Sequence, residues 1–387
     1  MRKIILILTT IAVLNTLLIK TVHGEPSTSP PTLVSKSAIM IDSKTGKVLY
    51  EKNASKPMYP ASLTKIATAI FAIETSNLDE KVTVSKKARD TEGTRVYLEE
   101  GERVTLKKLL QGLLINSGND AGVAIAEHLS GSVEQFSMDI NQYLTNVIGV
   151  KNTHFENPHG LFDQKHVTTA EDLAKITQYA IQNETFRKIF GIKKLKWNGE
   201  AWDTTLLTHH KLMRQIPYEG ITGGKTGYIP QSGFNLATTA ERGNLSLIVI
   251  TLNSYLESAA YSDTINLLDY GFNNFETSSI SKGTTFTFHE QKYKTSKKLF
   301  YTHRLNNEVN NEVNENDTLE ITSESGAVLA SYPLKKVKED SQTITMKDDV
   351  KISSIFGDYL SAIAFVLVVI VLCITGVFYR RKQKAKL

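Results

Sequence analysis

Cysteine is all but missing from this chain: its 387 residues include one, Cys373. No intrachain disulfide can form, and the region before Cys373 has no cysteine nucleophile. Stability has to come from packing, and an apolar content of 41% is enough for a proper core, which excludes a disordered chain. Also lacking is a His-Glu-x-x-His helix. His154, His159 and His166 fall close together, but in a loop containing Pro and Gly, so neither a metal nor any other cofactor is expected. A basic excess is missing too, once its sources are found. Arg2, Lys3 and Lys20 near the start, with Arg380, Arg381, Lys382, Lys384 and Lys386 at the end, turn the +5 net charge into −3 for the chain between them. A mildly acidic body gives nucleic-acid binding no electrostatic support.

The two ends read as targeting segments. "MRKIILILTTIAVLNTLLIKTVHG" has early cations, an apolar run and small residues before Glu25, the pattern of a cleaved signal peptide over 1–24. Leu360 to Tyr379 is uncharged and about 20 residues long, enough to cross a bilayer core of roughly 30 Å as a helix. The basic tail 380–387 follows at once, which puts the tail in the cytoplasm and the rest outside, on a single-pass membrane protein.

Between the ends, "EPSTSPPT" reads as a flexible lead, assigned to 25–34. "SAIMI" and "KVLYE" form a hairpin around "DSKTG", with Gly46 free to take positive φ. From Ser62 to about Gly191 the pattern is helical, and Thr169 is placed to cap one helix with Asp172 three residues on. "GFNLATTAERG" and "NLSLIVITLNS" are strand-like and joined at "ERGN"; "SAAYSDTINLLDYGF" is a helix. Strands at both ends with helices between predict an α/β (α+β) domain over 35–277, with one sheet covered by helices. Short alternating stretches predict a small β domain over 278–337, in which "NNEVNNEVNEND" reads as a solvated loop. Residues 338–359 are a linker.

Three short motifs carry the chemistry. With Ser62 as zero and about 100° per residue, Lys65 falls at about −60°, Ile66 at about +40° and Ala69 at about −20°. Serine and lysine therefore share the apolar face. Burial and a helix N-terminus push a lysine toward its neutral form. A neutral amine beside a hydroxyl can take the serine proton as the serine attacks a carbonyl. Ser-x-x-Lys alone is weak, since Ser279 to Lys282 repeats it in a polar stretch. The Ser62 copy has company: Ser117-Gly118-Asn119 lies between two helical runs, and Lys225-Thr226-Gly227 stands just ahead of a strand. The same tripeptide at Lys44-Thr45-Gly46 is read as the hairpin turn.

In this order the three motifs match a set found in class A β-lactamases and penicillin-binding proteins. With "YPASLTKIATA", "VYLEEGERVTLKKLLQGLLINSGNDAGVAIAEH", "FENPHGL" and "GGKTGYIPQSGFNLATTAERGNLSLIVITL", the chain from about Ser35 to about Phe275 resembles the low-molecular-mass penicillin-binding proteins. These are serine-type D-alanyl-D-alanine carboxypeptidases. The resemblance implies a β-lactamase/transpeptidase-like fold, an antiparallel sheet flanked by helices with a helical subdomain. It implies peptidoglycan stem peptides ending in D-Ala-D-Ala as substrates and β-lactams as inhibitors. By the same resemblance, Ser62 is the nucleophile, Lys65 its base, Ser117 the proton relay, and Asn119 a group that holds the substrate and orients Lys65. Lys225 and Thr226 would meet the substrate carboxylate. The N–H groups of Ser62 and Tyr228 would form the oxyanion hole, and substrate would pair along the strand after Gly227. The Glu-x-x-Leu-Asn base of class A β-lactamases is absent, because Glu156 in "FENPHGL" lacks that spacing. Transpeptidase or endopeptidase activity uses the same residues and is not separable by sequence.

Overall fold

The computed structural model describes residues 29–337. The expected signal peptide, the linker from 338, the spanning helix and the basic tail lie outside the described residues. Among the described residues no helix is long and apolar enough to cross a membrane.

A five-stranded antiparallel sheet organises the molecule. Its strands are β1 (Ser37–Asp42), β2 (Val48–Lys52), β7 (Ile221–Ile229), β8 (Gly233–Arg242) and β9 (Leu245–Ser254), in the order β2-β1-β9-β8-β7. The first hairpin closes at Gly46, whose φ is +74°. Between the two halves of the sheet the chain adds two-stranded ribbons, β3 (Lys81–Thr83) with β4 (Arg103–Thr105), and β5 (Lys194–Asn198) with β6 (Asp203–Leu207). The inner strands are apolar on both faces because both faces are covered, and the two-residue period sorts their side chains. Ile39, Ile41, Ala237, Ile248 and Ile250 face one core. Ala38, Met40, Leu236, Leu247 and Val249 face the other.

The first core is built with helices α1 (Thr64–Thr75), α2 (Leu106–Ile115), α3 (Asn119–Ser130), α4 (Val133–Tyr143), α5 (Ala170–Ala180) and α6 (Glu184–Phe190). The second is closed by the long helix α7 (Glu257–Asn274) through Ala260, Tyr261, Leu267 and Leu268. Thr169 caps α5 as expected, accepting from Asp172 N at 3.0 Å. The Asp172 carboxylate turns elsewhere, to Asn152 N and Thr153 Oγ1. From Pro31 the lead is anchored: Tyr50 donates to the Pro31 carbonyl, Leu33 is buried in the second core, and Asp263 accepts from Val34 N and Ser35 N.

Out of α7 the chain runs directly into β10 (Phe275–Ile280) and a set of short strands around Tyr293, Leu299, Val313, Leu319 and Ile321. The stretch expected as a solvated loop contains a strand, Val309–Val313, paired with Thr318–Ser323. Its two valines are four residues apart on one face, and Val313 is buried; the polar residues between them hid that alternation. A buried Asp42 at the end of β1 accepts from Thr277 and Thr302, and Thr302 also meets Thr45, so this β unit is hydrogen-bonded to the main sheet.

Candidate active site

Ser62 occupies one tight turn, Ala61–Leu63, that feeds α1. Ala61 before it is forced to φ +48°, a left-handed conformation costing on the order of 1–3 kcal/mol for a residue with a Cβ. A hydrogen-bond chain holds it there. Thr64 Oγ1 donates to Ala61 O at 2.9 Å and lies 2.8 Å from His166 Nε2, while His166 Nδ1 accepts from Glu156 N. From the other side, the loop of "FENPHGL" comes so close that a Cβ on Gly160 would sit 1.8 Å from Ala61 O.

One turn on, Lys65 is fully buried. Its Nζ lies 2.9 Å from Ser62 Oγ, 2.8 Å from Asn119 Oδ1 and 2.7 Å from the carbonyl of His159. Two of these neighbours are carbonyl oxygens, which only accept. A neutral amine has two N–H bonds and one lone pair, so two donations to Asn119 and His159 leave the lone pair for the serine hydroxyl. Desolvation, then the neighbouring Lys225, pull the Lys65 pKa well below the ordinary lysine range, against a smaller upward pull from Asp120.

The second wall comes from the turn between α2 and α3. Ser117 is itself left-handed, φ +61°, and its Oγ lies 3.1 Å from Lys225 Nζ. Asn119 donates from Nδ2 to the Glu92 carbonyl at 2.7 Å, which leaves Oδ1 toward Lys65.

The third wall is β7. Lys225-Thr226-Gly227 lies inside this edge strand rather than ahead of it, paired to Ala237, Leu236 and Asn235 of β8. The glycine pair Gly223-Gly224 ahead of it and Gly227 gave the stretch a turn-like composition, but the strand needs a small residue at 227 for close approach. A Cβ on Gly227 would lie 2.9 Å from Pro60 O and 3.1 Å from Ser62 N. The strand thus passes against the serine turn, and Tyr228, next along, is 55% exposed beside it. Among the described residues Lys225 has no acidic partner; it donates to Thr226 O at 2.8 Å, and desolvation lowers its pKa to about 7.

Ser62, Thr94, Ser117, Thr226, Gly227 and Tyr228 line a cleft of about 370 Å³. A hollow of about 410 Å³ at the far end of α1, near Phe71, Leu129 and Tyr143, is lined by no lysine or histidine. All eight site residues read from the sequence fall in this one region: Ser62, Lys65, Ser117, Asn119, Lys225, Thr226, Gly227 and Tyr228. The histidine trio does not converge on a point. His154 faces Glu156, His166 stacks on Phe155, and His159 Nδ1 accepts from Leu161 N. Sequence reasoning missed the His159 carbonyl, the Glu92 carbonyl and His209, which also lines the cleft. Backbone carbonyls carry no letter in a sequence, and His209 stands in no motif.

A family model described as D-alanyl-D-alanine carboxypeptidase, peptidase family S11, matches residues 25–255. The D-alanyl-D-alanine carboxypeptidase DacF of Bacillus subtilis is 31% identical over 341 residues, covering 82% of this chain and 86% of that one. DacA of Escherichia coli K12 is 33% identical over 267 residues, 64% of this chain and 63% of its own. The crystal structure of penicillin binding protein 5 from Haemophilus influenzae superposes with a TM-score of 0.71 at 25% identity, over 80% of this chain and 98% of that one.

Proposed function

Because the chain belongs to the D-alanyl-D-alanine carboxypeptidase family of serine peptidases and is a hydrolase of that kind, we propose that it removes the terminal D-alanine from peptidoglycan stem peptides through an ester at Ser62. The observation that supports this reading most is the seating of Lys65. Its Nζ lies 2.8 Å and 2.7 Å from two carbonyl oxygens, those of Asn119 and His159, and 2.9 Å from the Ser62 hydroxyl. Lys65 takes the Ser62 proton as Oγ attacks the carbonyl of the penultimate D-alanine. Ser117, beside Lys225, passes a proton to the departing amine. Lys225 and Thr226 meet the free carboxylate, a charge-assisted contact that makes a free C-terminus a requirement. The N–H groups of Ser62 and Tyr228 hold the oxyanion, where a single donor is worth on the order of 3 kcal/mol. Substrate lies along β7, whose outer edge pairs with no strand among the described residues and can add one. Water then hydrolyses the ester. Penicillins acylate the same serine. In this reading the segment Leu360 to Tyr379 anchors the enzyme in the membrane with the cleft outside the cell.

Incubation of the protein with a fluorescent penicillin and with a pentapeptide ending in D-Ala-D-Ala tests it. The expected result is covalent label at Ser62, absent in Ser62→Ala, together with release of free D-alanine. Label without release would move the assignment to transpeptidation, and rapid turnover of the penicillin to a β-lactamase.

A further inference from the structure

Asp120 follows Asn119 and has no part in the chemistry above, yet it is fully buried at the first turn of α3 and meets no cation side chain at hydrogen-bond distance among the described residues. Its carboxylate accepts from backbone amides alone: Val96 N at 3.0 Å to both oxygens, Leu98 N at 3.2 Å, and Ala121 N at 2.9 Å. Tyr97, between the first two donors, has φ +58°. A bulky residue holds that conformation only where its surroundings dictate it. Here neighbouring amides are turned inward onto one anion, a nest of the kind that binds phosphate elsewhere, filled in this case by the protein's own carboxylate.

The loop so held is the one that fixes Asn119. Thr94 O accepts from Asn119 N at 2.7 Å, and Glu92 O accepts from Asn119 Nδ2 at 2.7 Å. Arg95 O accepts from Asn116 Nδ2 at 2.9 Å, tying the same loop to the end of α2. The Glu92 contact decides which end of the Asn119 amide faces Lys65. If that carbonyl moved away, the amide could turn its NH₂ toward Nζ, and Lys65 would lose an acceptor and gain a competing donor.

We propose that Asp120 is a positioning residue for acylation. It clamps the loop 92–98 so that Asn119 presents its oxygen to Lys65, and it places a buried negative charge next to Asn119 in the chain. This inference rests on the proposed role of Lys65 as base. Around Lys65 the other groups that titrate are Lys225 from β7, His159 and His166 from the loop before α5, and His209. Desolvation raises the pKa of Asp120, and the amides of Val96, Leu98, Ala121 and Tyr97 oppose that rise.

The test is a double-mutant cycle read by penicillin acylation across pH, using Asp120→Asn, Asn119→Ala and the pair. Asparagine keeps the shape but sets an NH₂ against an inward N–H. Acylation by Asp120→Asn at neutral pH should fall on the order of tenfold to a hundredfold. In the Asn119→Ala background the same change should cost almost nothing, since the group it acts through is gone. The acid limb of the rate profile should move to lower pH, because Asp120 holds the Lys65 pKa up. A general structural defect lowers the rate at every pH and leaves that limb in place. If Asp120→Asn folds poorly, adding Tyr97→Gly removes the left-handed strain and should restore folding with the limb still displaced. Penalties that add across the cycle, or a limb that stays put, overturn the proposal. Loss of the whole reading of Lys65 would look different: a wild-type profile with no acid limb at all.

Discussion

The chain contains Lys-Thr-Gly twice, and the two copies have become opposite things. Lys44-Thr45-Gly46 turns a hairpin. Lys44 is a third exposed, pairs with Glu241 at 3.2 Å and donates to Asn244 O, and Gly46 takes φ +74°. Lys225-Thr226-Gly227 runs extended in an edge strand, with Lys225 at 2% exposure and no carboxylate among the described residues in hydrogen-bond reach. At the first copy water and an acid stabilise the charge. At the second, burial removes both, and the ammonium form is penalised to a pKa of about 7. Letters alone do not set chemistry; the desolvation of the amine does. The same contrast separates the two Ser-x-x-Lys copies, since Lys65 is fully buried while Lys282 is exposed.

Substitutions at matched positions should widen or erase this contrast. The largest effect is expected at Lys65. Lys65→Arg keeps a cation but removes the base, because guanidinium holds its proton at all working pH values, and acylation should drop by about 10²- to 10⁴-fold. Lys44→Arg should leave the rate unchanged. Next comes glycine. Gly227→Ala drives a Cβ against Pro60 O and Ser62 N and should displace an oxyanion donor, slowing acylation on the order of a hundredfold. Gly46→Ala should leave acylation alone and cost about 1 kcal/mol of stability, read as a lower melting temperature.

Lys225→Met separates function from stability. Below about pH 7 Lys225 is charged in both folded and unfolded states; from about 7 to about 10.4 the unfolded chain still binds the proton that the folded one has released. Wild-type stability therefore rises with pH across that window. In Lys225→Met the rise should be shallower and the melting temperature at neutral pH higher, while carboxypeptidase activity is lost. Smallest of all, Lys44→Met should move stability by no more than about 0.5 kcal/mol, as an exposed pair does.

The sheet, its helices and the three short motifs that meet at the cleft were legible because each rests on a local signal. Runs such as "LIVITL" mark strands buried on both faces, and Thr169 marks a helix start. Less visible was whatever depends on chain segments meeting. The tripeptide at Lys225 looked like the approach to a strand because glycine usually punctuates; it is strand because it pairs with β8, and Gly227 is small because Pro60 and Ser62 pass close by. Val309 and Val313 form a strand through two side chains diluted among Asn and Glu. Left-handed Ala61, Tyr97 and Ser117 carry no glycine to advertise them. At the site, the side chains that gather could be read and the backbone groups that hold them could not: the His159 and Glu92 carbonyls fix Lys65 and Asn119 from loops with no regular pattern.

Direct titration of Lys65 bears hardest on this account. With ¹⁵N-labelled lysine and assignment by the Lys65→Arg variant, the Lys65 amine should lose its proton well below the ordinary lysine value of about 10.4, and the rate of penicillin acylation should rise with the same midpoint. A Lys65 signal that stays protonated to pH 10 or beyond, in an enzyme that still acylates at neutral pH, would contradict it.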